Sequence, residues 1–448
     1  MKLCDILDSP CGIDFYVDSL RFSSPIGRKT LLERRMMTDG DEIAKHYEVL
    51  ALFYSKVVCN AGVLLKIQDT LQPVKDIKVT LNRLALGAVL DEIQLFEIKR
   101  VALVWEKVRR LLIETAGQIE MLGTSESLED VVDVLDPEKL RIESFYIYDC
   151  YSPSLAKIRH RLKISPEDVN LLADEKEEEH AILIQLAGKL KPAAKRLEKA
   201  LDSLAEIDIN CAVADYMQHG SLCIPKISGT GKSMIVGYSN PEVESQVEKE
   251  GGIYQYCDIV FKRGVPTIVI GANMGGKSVT LKTVALCQYL LQFALPLPAC
   301  NATLCVEEKI YLITPEERPS SALSSFGNEM KEIDSMLRST GNGEKSLVIL
   351  DEPCRSTNPV EGSAMVEALA DLTARRKNVT LILATHYCIL PVEECRWLRV
   401  IGIENGKMNY ALVESSDREI PQEALNVASQ LGVDEEWLGL AKKILNDK

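Results

Sequence analysis

The residues with the clearest chemical meaning form the segment GANMGGKSV, residues 271–279, which follows the apolar run TIVI. Gly271, Gly276, Lys277 and Ser278 satisfy the spacing GxxxxGK[ST], in which glycines let backbone N–H groups turn toward phosphate oxygens. A helix that follows such a loop adds its positive N-terminal end. The motif predicts a nucleotide site in which Lys277 reaches the β- and γ-phosphates and the Ser278 hydroxyl ligates Mg²⁺.

An acidic pair follows a second apolar segment, SLVILDE, at residues 346–352. Asp351 is suited to orient Mg²⁺ through water, and Glu352 is suited to polarise the water that attacks the terminal phosphate. A third apolar segment, ILATHY, places His386 at the carboxyl end of a strand, where parallel sheets bind ligands. We expect Lys277, Glu352 and His386 to be the catalytic residues, with His386 sensing the γ-phosphate or the attacking water.

Two further segments bear on the nucleotide. Tyr254 precedes the P-loop strand and is a candidate for stacking on adenine. The segment SGTGKS at 228–233 looks like a second P-loop, but position 226, which would have to be glycine, is Lys226. We interpret residues 228–232 as a hairpin turn.

The elements that must position these residues divide the chain in two. Residues 1–220 have apolar residues at helical spacing, most clearly at 101–122, with a turn near 145–155 and a resumed helix beyond it. From residue 221, short β-branched segments alternate with helical ones, which predicts a mainly parallel sheet. The expected fold class is α + α/β, with a helical domain at 1–220 and a nucleotide-binding domain at 221–448.

Charge and cysteine usage narrow the functional classes. The net charge of −14 argues against nucleic acid or anionic lipid as a partner of the whole chain. The sequence has 13 cysteines without a CxxC pair or a secretory signal, which favours reduced thiols in a cytoplasmic protein. The most apolar long stretch, 283–300, contains two glutamines and two prolines, so we expect no membrane span.

In this order, the motifs resemble the ATPase domain of the MutS family. The segment GANMGGKSV is similar to that family's P-loop, including Asn273, Met274, Gly275 and Val279. Other segments resemble the family's sequence as follows: SSFGNEM (324–330) its STFMVEM, LDEPCRSTNPVEG (350–362) its MDEIGRGTSTYDG, LATHY its FATHY, and SPIGRKTLLERRMMTDGDEI (24–43) and VKDIKVTLNRLALG (74–87) its core domain.

The resemblance implies a helical core or lever domain followed by an ABC-like P-loop ATPase domain that binds ATP and Mg²⁺. In the family, two ATPase domains pack face to face, and a signature serine of one subunit contacts the nucleotide of the other. Ser324 takes that place here, although the same serine could simply cap a helix. The implied assembly is a homodimer, or a heterodimer with a related MutS-like subunit.

The sequence also departs from the family pattern. The mismatch-reading domains are expected to be absent because Met1 already lies close to the start of the core domain. The DNA-clamp insertion looks deleted, since 163–203 is a short acidic helical stretch, and no C-terminal nuclease domain is expected. The family's GRG is CRS at 354–356, which puts the geometry of this loop in question.

Three functions remain open from the sequence. The first is a dimeric, ATP-driven conformational switch related to DNA mismatch repair ATPases that still acts on DNA. The second is an ATP-dependent factor that remodels or reactivates a client enzyme, such as a cobalamin-dependent aminomutase, without acting on DNA. The third is a scaffold that binds nucleotide without turnover, against which the intact P-loop, acidic pair and histidine argue.

Overall fold

A computed structural model describes residues 1–60, 62–271, 276–315, 322–391, 393–404, 407–415, 428 and 432–446 of the 448-residue chain. The side chains of residues 322–325 and 445–446 fall outside this description. The structure is mixed helix and sheet: helices occupy most of the first 219 residues, and the named strands begin at residue 226.

The first part of the chain is a succession of helices joined by short loops. They are α1 (Ile13–Asp18), α2 (Pro25–Glu33), α3 (Gly40–Phe53), α4 (Val63–Leu71), α5 (Lys78–Leu86), α6 (Glu92–Ala116), α7 (Glu129–Leu135), α8 (Pro153–Leu162), α9 (Val169–Leu190) and α10 (Ala194–His219). A π-helical turn follows α3 at Tyr54–Val58, and 3₁₀ turns lie at Leu3–Ile6, Glu120–Leu122, Asp149–Tyr151 and Lys191–Ala193.

Two helix boundaries differ from the sequence prediction for local reasons. The helix predicted over 101–122 ends at Ala116, where the N–H of Gly117 caps the last turn by donating to Ile113 O. The helix predicted beyond residue 165 is divided into α9 and α10 at Pro192, which has no N–H to donate. The turn predicted near 145–155 coincides with a 3₁₀ turn that leads into α8.

The second part of the chain alternates strands and helices. In chain order they are β1 (Lys226–Ile227), β2 (Lys232–Tyr238), α11 (Pro241–Lys249), β3 (Cys257–Lys262), β4 (Thr267–Ile270), α12 (Lys277–Gln292), β5 (Asn301–Leu304), β6 (Lys309–Ile313), α13 (Ala322–Thr340), β7 (Ser346–Asp351), α14 (Pro359–Ala374), β8 (Val379–Ala384), β9 (Arg396–Glu404), β10 (Lys407–Glu414) and α15 (Glu435–Asn446).

The larger sheet is mainly parallel and is covered on both faces. Its strand order is β10-β9-β4-β8-β7-β6, in which β10 pairs antiparallel with β9 and the other neighbours pair parallel. Every residue of β4, β7 and β8 is buried. Alternate residues of these strands pack against α12 on one face and against α13 and α14 on the other, as expected for a parallel sheet between helices.

The smaller sheet corrects the interpretation of residues 228–232. Its order is β1-β5-β2-β3, so β1 and β2 lie on opposite sides of β5 and do not pair with each other. The segment between them is therefore a connection across β5, and the predicted hairpin is wrong. The sequence shows a strand pattern only after this segment, in SMIVGY (233–238), and β5, which separates β1 from β2, comes from residues 301–304, far along the chain.

The packing also links the two parts of the chain. One buried cluster joins α6 and α10 within the helical part, with Trp105 among its largest members. A second cluster combines residues of the segment 3–50 with α12 and with strands of both sheets. The first fifty residues thus share a hydrophobic core with the second part of the chain. The domain boundary at residue 220 remains a prediction from the sequence.

Two general features complete the description. The 13 cysteines of the chain are all free thiols. Among the described residues, no single helix is long and apolar enough to cross a membrane, and the pair Gly40–Val58 and Val63–Leu71, which passes that test only when taken together, is bent by 110°.

Candidate nucleotide-binding site

The three motifs predicted to bind nucleotide lie at the carboxyl ends of adjacent strands. β4 leads into the P-loop, β7 ends at Asp351, and β8 ends two residues before His386. Val269 of β4 and Asp351 of β7 both pair in register with Ala384 of β8, so the three strand ends are level. This is the edge at which parallel sheets bind ligands.

The start of α12 is shaped by Gly276 and Lys277. Gly276 precedes the helix with a φ of 75°, and a Cβ at this position would lie 2.9 Å from Cδ1 of Tyr410. Glycine is therefore required both by the backbone conformation and by the close approach of the tyrosine ring. Lys277 is buried, its Nζ donates to the carbonyl of Gly271 at 2.8 Å, and burial lowers the pKa of its ammonium group.

Several of the predicted nucleotide contacts lie outside the described residues. These are Asn273, Met274 and Gly275 of the P-loop, and the side chain of Ser324. The backbone of Ser324 belongs to α13, of which it is the third residue. The roles predicted for these four residues remain predictions.

Ser278 and Asp351 form the candidate magnesium site. The Oδ1 atom of Asp351 is buried without a hydrogen-bond partner among the described atoms. Burial raises the pKa of Asp351, and the interaction of its carboxylate with the nearby Ser278 side chain offsets part of that rise. A hydroxyl beside a buried carboxylate oxygen that lacks a partner is a suitable donor set for a hard cation. The residues present therefore fit Mg²⁺.

The carboxylate of Glu352 lies at the centre of three basic side chains. Its Oε1 is 3.6 Å from Lys277 Nζ, and its Oε2 is 3.7 Å from Arg355 Nη1 and 3.9 Å from His386 Nδ1. The Glu352 side chain is 12% exposed, so water can reach it from the cavity. His386 Nδ1 has no hydrogen bond among the described atoms, and its ring packs on Tyr387 with 4.3 Å between centroids. The structure thus brings together the three residues predicted to be catalytic.

A cavity of about 620 Å³ opens beside these residues. That volume is within the range of small-molecule and cofactor sites. Its polar lining residues include Lys277, Ser278, Asp351 and Glu352, and the predicted contact Val279 also lines it. The lining further includes apolar and aromatic side chains, and this combination suits a ligand with a charged and a flat aromatic part.

The apolar and aromatic lining includes residues that the sequence interpretation missed. Ile253, Val247 and Tyr410 line the cavity, and the Ile253 side chain is almost fully exposed. The segment carrying Ile253 is fixed to β10 by Gln255, whose amide donates to Asn409 Oδ1 at 2.8 Å and accepts from Tyr410 N–H at 3.1 Å. No local motif marks these residues, because they come from three separate stretches of chain.

Tyr254 also lines the cavity, as predicted for an adenine contact, but its hydroxyl is committed elsewhere. The hydroxyl accepts from the N–H of Asn240, at the start of α11, at 3.1 Å. Burial raises the pKa of Tyr254 to about 12, so the phenol is neutral at physiological pH. The neighbouring Ile253 is more open to the cavity and is the stronger candidate for contact with a base.

Comparison with known proteins agrees with this geometry. Residues 267–423, which contain the P-loop, the acidic pair and His386, match the family model of MutS domain V. This match and the MutS2 relatives described below support membership of the MutS family. Members of this family bind ATP, generally with Mg²⁺, and typically act as dimers that bind DNA.

The similar curated proteins are several times longer than the matched region. The chain is 30% identical over 250 residues to "Endonuclease MutS2" of Clostridium novyi, and 29% identical over 265 residues to that of Streptococcus uberis. For the Streptococcus pneumoniae protein of the same name the identity is 26% over 295 residues. These matches cover 55%, 58% and 64% of this chain but only 30%, 32% and 36% of the relatives. The chain thus spans about a third of the length of the MutS2 proteins it matches.

Proposed function

We propose that this MutS-family protein binds and hydrolyses ATP and uses the nucleotide to change conformation. The observation that supports it best is the convergence around one cavity of Lys277, which follows β4, with Asp351 and Glu352, at the end of β7. In the proposal, Lys277 binds the β- and γ-phosphates, and Glu352 polarises the attacking water. The unpartnered Nδ1 of His386 contacts that water or the γ-phosphate.

The magnesium ion would be held by Ser278 and Asp351. When bound, Mg²⁺ neutralises charge on the phosphate oxygens during phosphoryl transfer. The chain's own residues provide the rest of the arrangement: the N-terminal end of α12 faces the phosphates, and Lys277 exchanges its contact with Glu352 for one with the triphosphate. The fold around this site is proposed to be ABC-like, with a mainly parallel sheet.

Phosphate release from ATP tests the enzymatic part of the proposal. The purified wild type should release phosphate with Mg²⁺, and Lys277→Ala should bind ATP at least ~10-fold more weakly and release none. Glu352→Gln should bind ATP normally and hydrolyse it about 10²–10⁴-fold more slowly, as expected when a general base is removed. Glu361→Gln, an exposed glutamate on α14, is the matched control and should behave as wild type. A wild type that releases no phosphate would contradict the proposal and leave the scaffold alternative.

The proposed conformational change is supported by contacts at the far end of α12. This helix begins at Lys277, in the phosphate site, and ends at Gln292. Among the described residues, five hydrogen bonds connect the segment 292–296 to the N-terminal part of the chain. Met37 N–H donates to Gln292 O at 2.9 Å, and Gln292 Nε2 donates to Met37 O at 3.0 Å. The other three run from Arg34 Nη1 to Phe293 O at 3.0 Å, from the Tyr47 hydroxyl to Leu295 O at 2.8 Å and from the Tyr16 hydroxyl to Pro296 O at 2.8 Å.

We refer to residues 292–296 and these four partners as the α12 joint. Both tyrosines of the joint are buried, and burial raises the pKa of each phenol well above its ordinary value, so they remain hydrogen-bond donors. Because α12 is a rigid element that touches the phosphates at one end, a displacement at the P-loop would reach the helical part at the other end. This is the physical route that we propose for the switch.

The assembly is proposed to be a dimer in which Ser324 contacts the partner's nucleotide. The support is the resemblance of residues 324–330 to the family signature and the position of Ser324 near the start of α13. Size-exclusion chromatography with light scattering on Glu352→Gln tests it. The variant should become dimeric with ATP, and Ser324→Ala in the same background should weaken the dimer. A monomer at all ATP concentrations would exclude a composite site.

The distribution of charge favours a protein client over DNA. Arginines stand next to each other in the sequence at 34–35 and at 109–110, and three of these four form ion pairs within the chain. These ion pairs are Arg34–Glu206 (2.6 Å), Arg109–Glu106 (2.9 Å) and Arg110–Glu129 (3.8 Å). A further arginine in α8, Arg159, pairs with Asp149, Glu175 and Glu179 at 2.7–2.8 Å. Non-specific DNA affinity comes mainly from basic side chains free to contact phosphates.

The preferred role is therefore an ATP-driven remodeller of another protein in the cytoplasm, of which a cobalamin-dependent aminomutase is one example. A duplex-binding assay at 50 and 200 mM salt, with and without ATP, separates this role from action on DNA. We expect no binding at either salt concentration. Binding that weakens strongly with salt, alone or with a related subunit added, would favour the DNA alternative instead.

A further inference from the structure

The loop after Glu352 has an unusual backbone. Glu352 has a φ of 47° and Cys354 a φ of 61°, a left-handed conformation that residues other than glycine rarely adopt. Cys354 stands where the MutS family has the first glycine of its GRG. Cys354 thus adopts a backbone conformation that suits glycine, the residue that the family has at this position.

Two side chains from different elements hold the backbone of Cys354. The carboxylate of Glu329, on α13, accepts from the Cys354 N–H at 2.8 Å. The hydroxyl of Tyr387, which follows His386, donates to the Cys354 carbonyl at 2.8 Å. Both backbone polar groups of the left-handed residue are thus satisfied by side chains. We refer to Glu329, Tyr387 and the backbone of Cys354 as the loop clamp.

The surrounding packing leaves little room for another arrangement. The Cys354 side chain is fully buried in the apolar cluster beneath α13 and α14. A Cβ on Gly362 of α14 would lie 2.6 Å from the Tyr387 hydroxyl and 3.2 Å from the Cys354 carbonyl. Only glycine therefore allows α14 to approach the hydrogen bond between the Tyr387 hydroxyl and the Cys354 carbonyl this closely. Helix α14 packs against the clamp, whose members come from α13, the loop after β7 and the segment after β8.

The clamp lies two residues from the carboxylate that the proposed reaction depends on. The N–H of Glu352 donates to Ala384 O at 2.9 Å, which fixes the start of the loop on β8. The clamp fixes the loop again at Cys354. With the backbone held on both sides, the Glu352 side chain has a defined position between Lys277 and His386.

We propose that Glu329 and Tyr387 are positioning residues that hold the left-handed Cys354 peptide and thereby place Glu352 for ATP hydrolysis. The inference rests on the proposed ATPase function and deepens it. Because Glu329 belongs to α13, a movement of that helix changes the position of Glu352. The rate of hydrolysis then depends on α13 through the bond between Glu329 and the Cys354 backbone.

The test compares kcat with KM for ATP in single variants. Glu329→Ala removes the acceptor for the Cys354 N–H and should lower kcat about 10- to 100-fold with KM within about threefold of wild type. Tyr387→Phe removes one hydroxyl and should lower kcat about 10-fold. Glu329→Gln retains an oxygen acceptor and should stay within about threefold of wild type. Glu332→Ala is the control, because Glu332 is an exposed carboxylate on the same helix, and this variant should match wild type.

A second arm identifies the backbone as the target. Cys354→Gly removes the steric cost of the left-handed conformation, so in the Glu329→Ala background it should restore kcat at least about threefold. A residue acting directly as a proton donor or acceptor would instead make Glu329→Gln as slow as Glu329→Ala and would not be rescued by glycine, which would overturn the positioning role.

The failures of the two proposals are distinguishable. If wild type hydrolyses ATP and both Glu329→Ala and Tyr387→Phe are as fast as Glu332→Ala, the clamp inference is wrong while the ATPase remains. If the wild type itself releases no phosphate, the proposed function fails and the inference with it. Thermal unfolding of each variant identifies misfolding, and loss of ATP binding in parallel with kcat in both Glu329→Ala and Tyr387→Phe would mean a structural role only.

Discussion

Replacing Tyr16 and Tyr47 by phenylalanine tests whether the α12 joint carries the response to nucleotide. Each change removes one buried hydroxyl and leaves the carbonyl of Pro296 or Leu295 without its tyrosine donor. A buried polar group that loses its partner costs about 1–3 kcal/mol, so each single variant should lose about that free energy of unfolding. The two carbonyls belong to adjacent residues, so the double variant should not lose the simple sum of the two.

The functional effect should be on coupling rather than on binding. Neither tyrosine lines the cavity, so ATP should bind the Tyr16→Phe/Tyr47→Phe double variant with unchanged affinity. If the joint transmits about 1–3 kcal/mol, the coupling between nucleotide and the helical part should fall about 5- to 150-fold. Hydrogen–deuterium exchange of α6 and α10 with and without ATP measures this directly. We expect the ATP-dependent difference seen in wild type to shrink to less than half.

Tyr151→Phe provides the matched control. Its hydroxyl donates to the carbonyl of Val134 at 2.9 Å inside the helical part, so the variant loses the same kind of bond away from the joint. It should be destabilised to a similar extent and keep the full ATP-dependent difference in exchange. If the joint variant and Tyr151→Phe respond to ATP equally, then α12 does not carry the signal and the argument from the joint is refuted.

Three further predictions concern single sites. Gly276→Ala should weaken ATP binding at least about fivefold, as measured by calorimetric titration. Alanine in the left-handed conformation is strained by about 1–3 kcal/mol, and its Cβ would also meet Tyr410. Lys99→Met should lower the free energy of unfolding by about 3 kcal/mol in urea at pH 7, since it leaves the buried carboxylate of Asp136 without its ion-pair partner. Burial raises the pKa of Asp136, but the hydrogen bonds that its carboxylate accepts from the Arg141 N–H and from Lys99 outweigh burial, so the pKa lies below its ordinary value. The ionised Asp136 therefore stabilises the fold above pH 3.8, and this stabilisation is lost as the pH falls further. The stabilisation should be smaller in Lys99→Met. Burial raises the pKa of Glu307 to about 7, so the protonated side chain stabilises the fold below pH 4.5, and this stabilisation is lost as the pH rises to about 7. Glu307→Gln should flatten the dependence of the free energy of unfolding on pH between these values. An unchanged dependence would contradict the assignment.

The phosphate end of the site could be predicted from sequence because its motifs are contiguous. The spacing of Gly276, Lys277 and Ser278 encodes both the loop and the start of α12, and Asp351 with Glu352 directly ends a buried strand. Each motif directly follows a strand that is recognisable in the sequence: the P-loop follows one strand, and the acidic pair ends another. Because the carboxyl ends of parallel strands meet at one edge of a sheet, the two motifs are expected to lie close together.

The remaining features depend on contacts between distant segments. The lining of the cavity combines Ile253 with Tyr410, more than 150 residues apart, and the pairing of Gln255 with β10 holds the two segments together. The loop clamp is equally non-local, since neither Glu329 nor Tyr387 marks itself by spacing relative to Cys354. The wrong hairpin at 228–232 has the same cause, because β5 arrives from residues 301–304 to separate β1 from β2.

The two proposals assign binding and hydrolysis to different helices. Lys277 and Ser278 belong to α12, whose other end is held by the joint, so occupation of the phosphate site is communicated to the helical part. Glu352 is instead placed through Glu329 of α13, on the opposite face of the sheet. The buried strands β7 and β8 separate these routes. Joint variants should therefore lose the conformational response while keeping kcat, and clamp variants should lose kcat while keeping the response. A variant of either kind that lost both in proportion would mean that the site moves as one unit, and the two routes could not be separate.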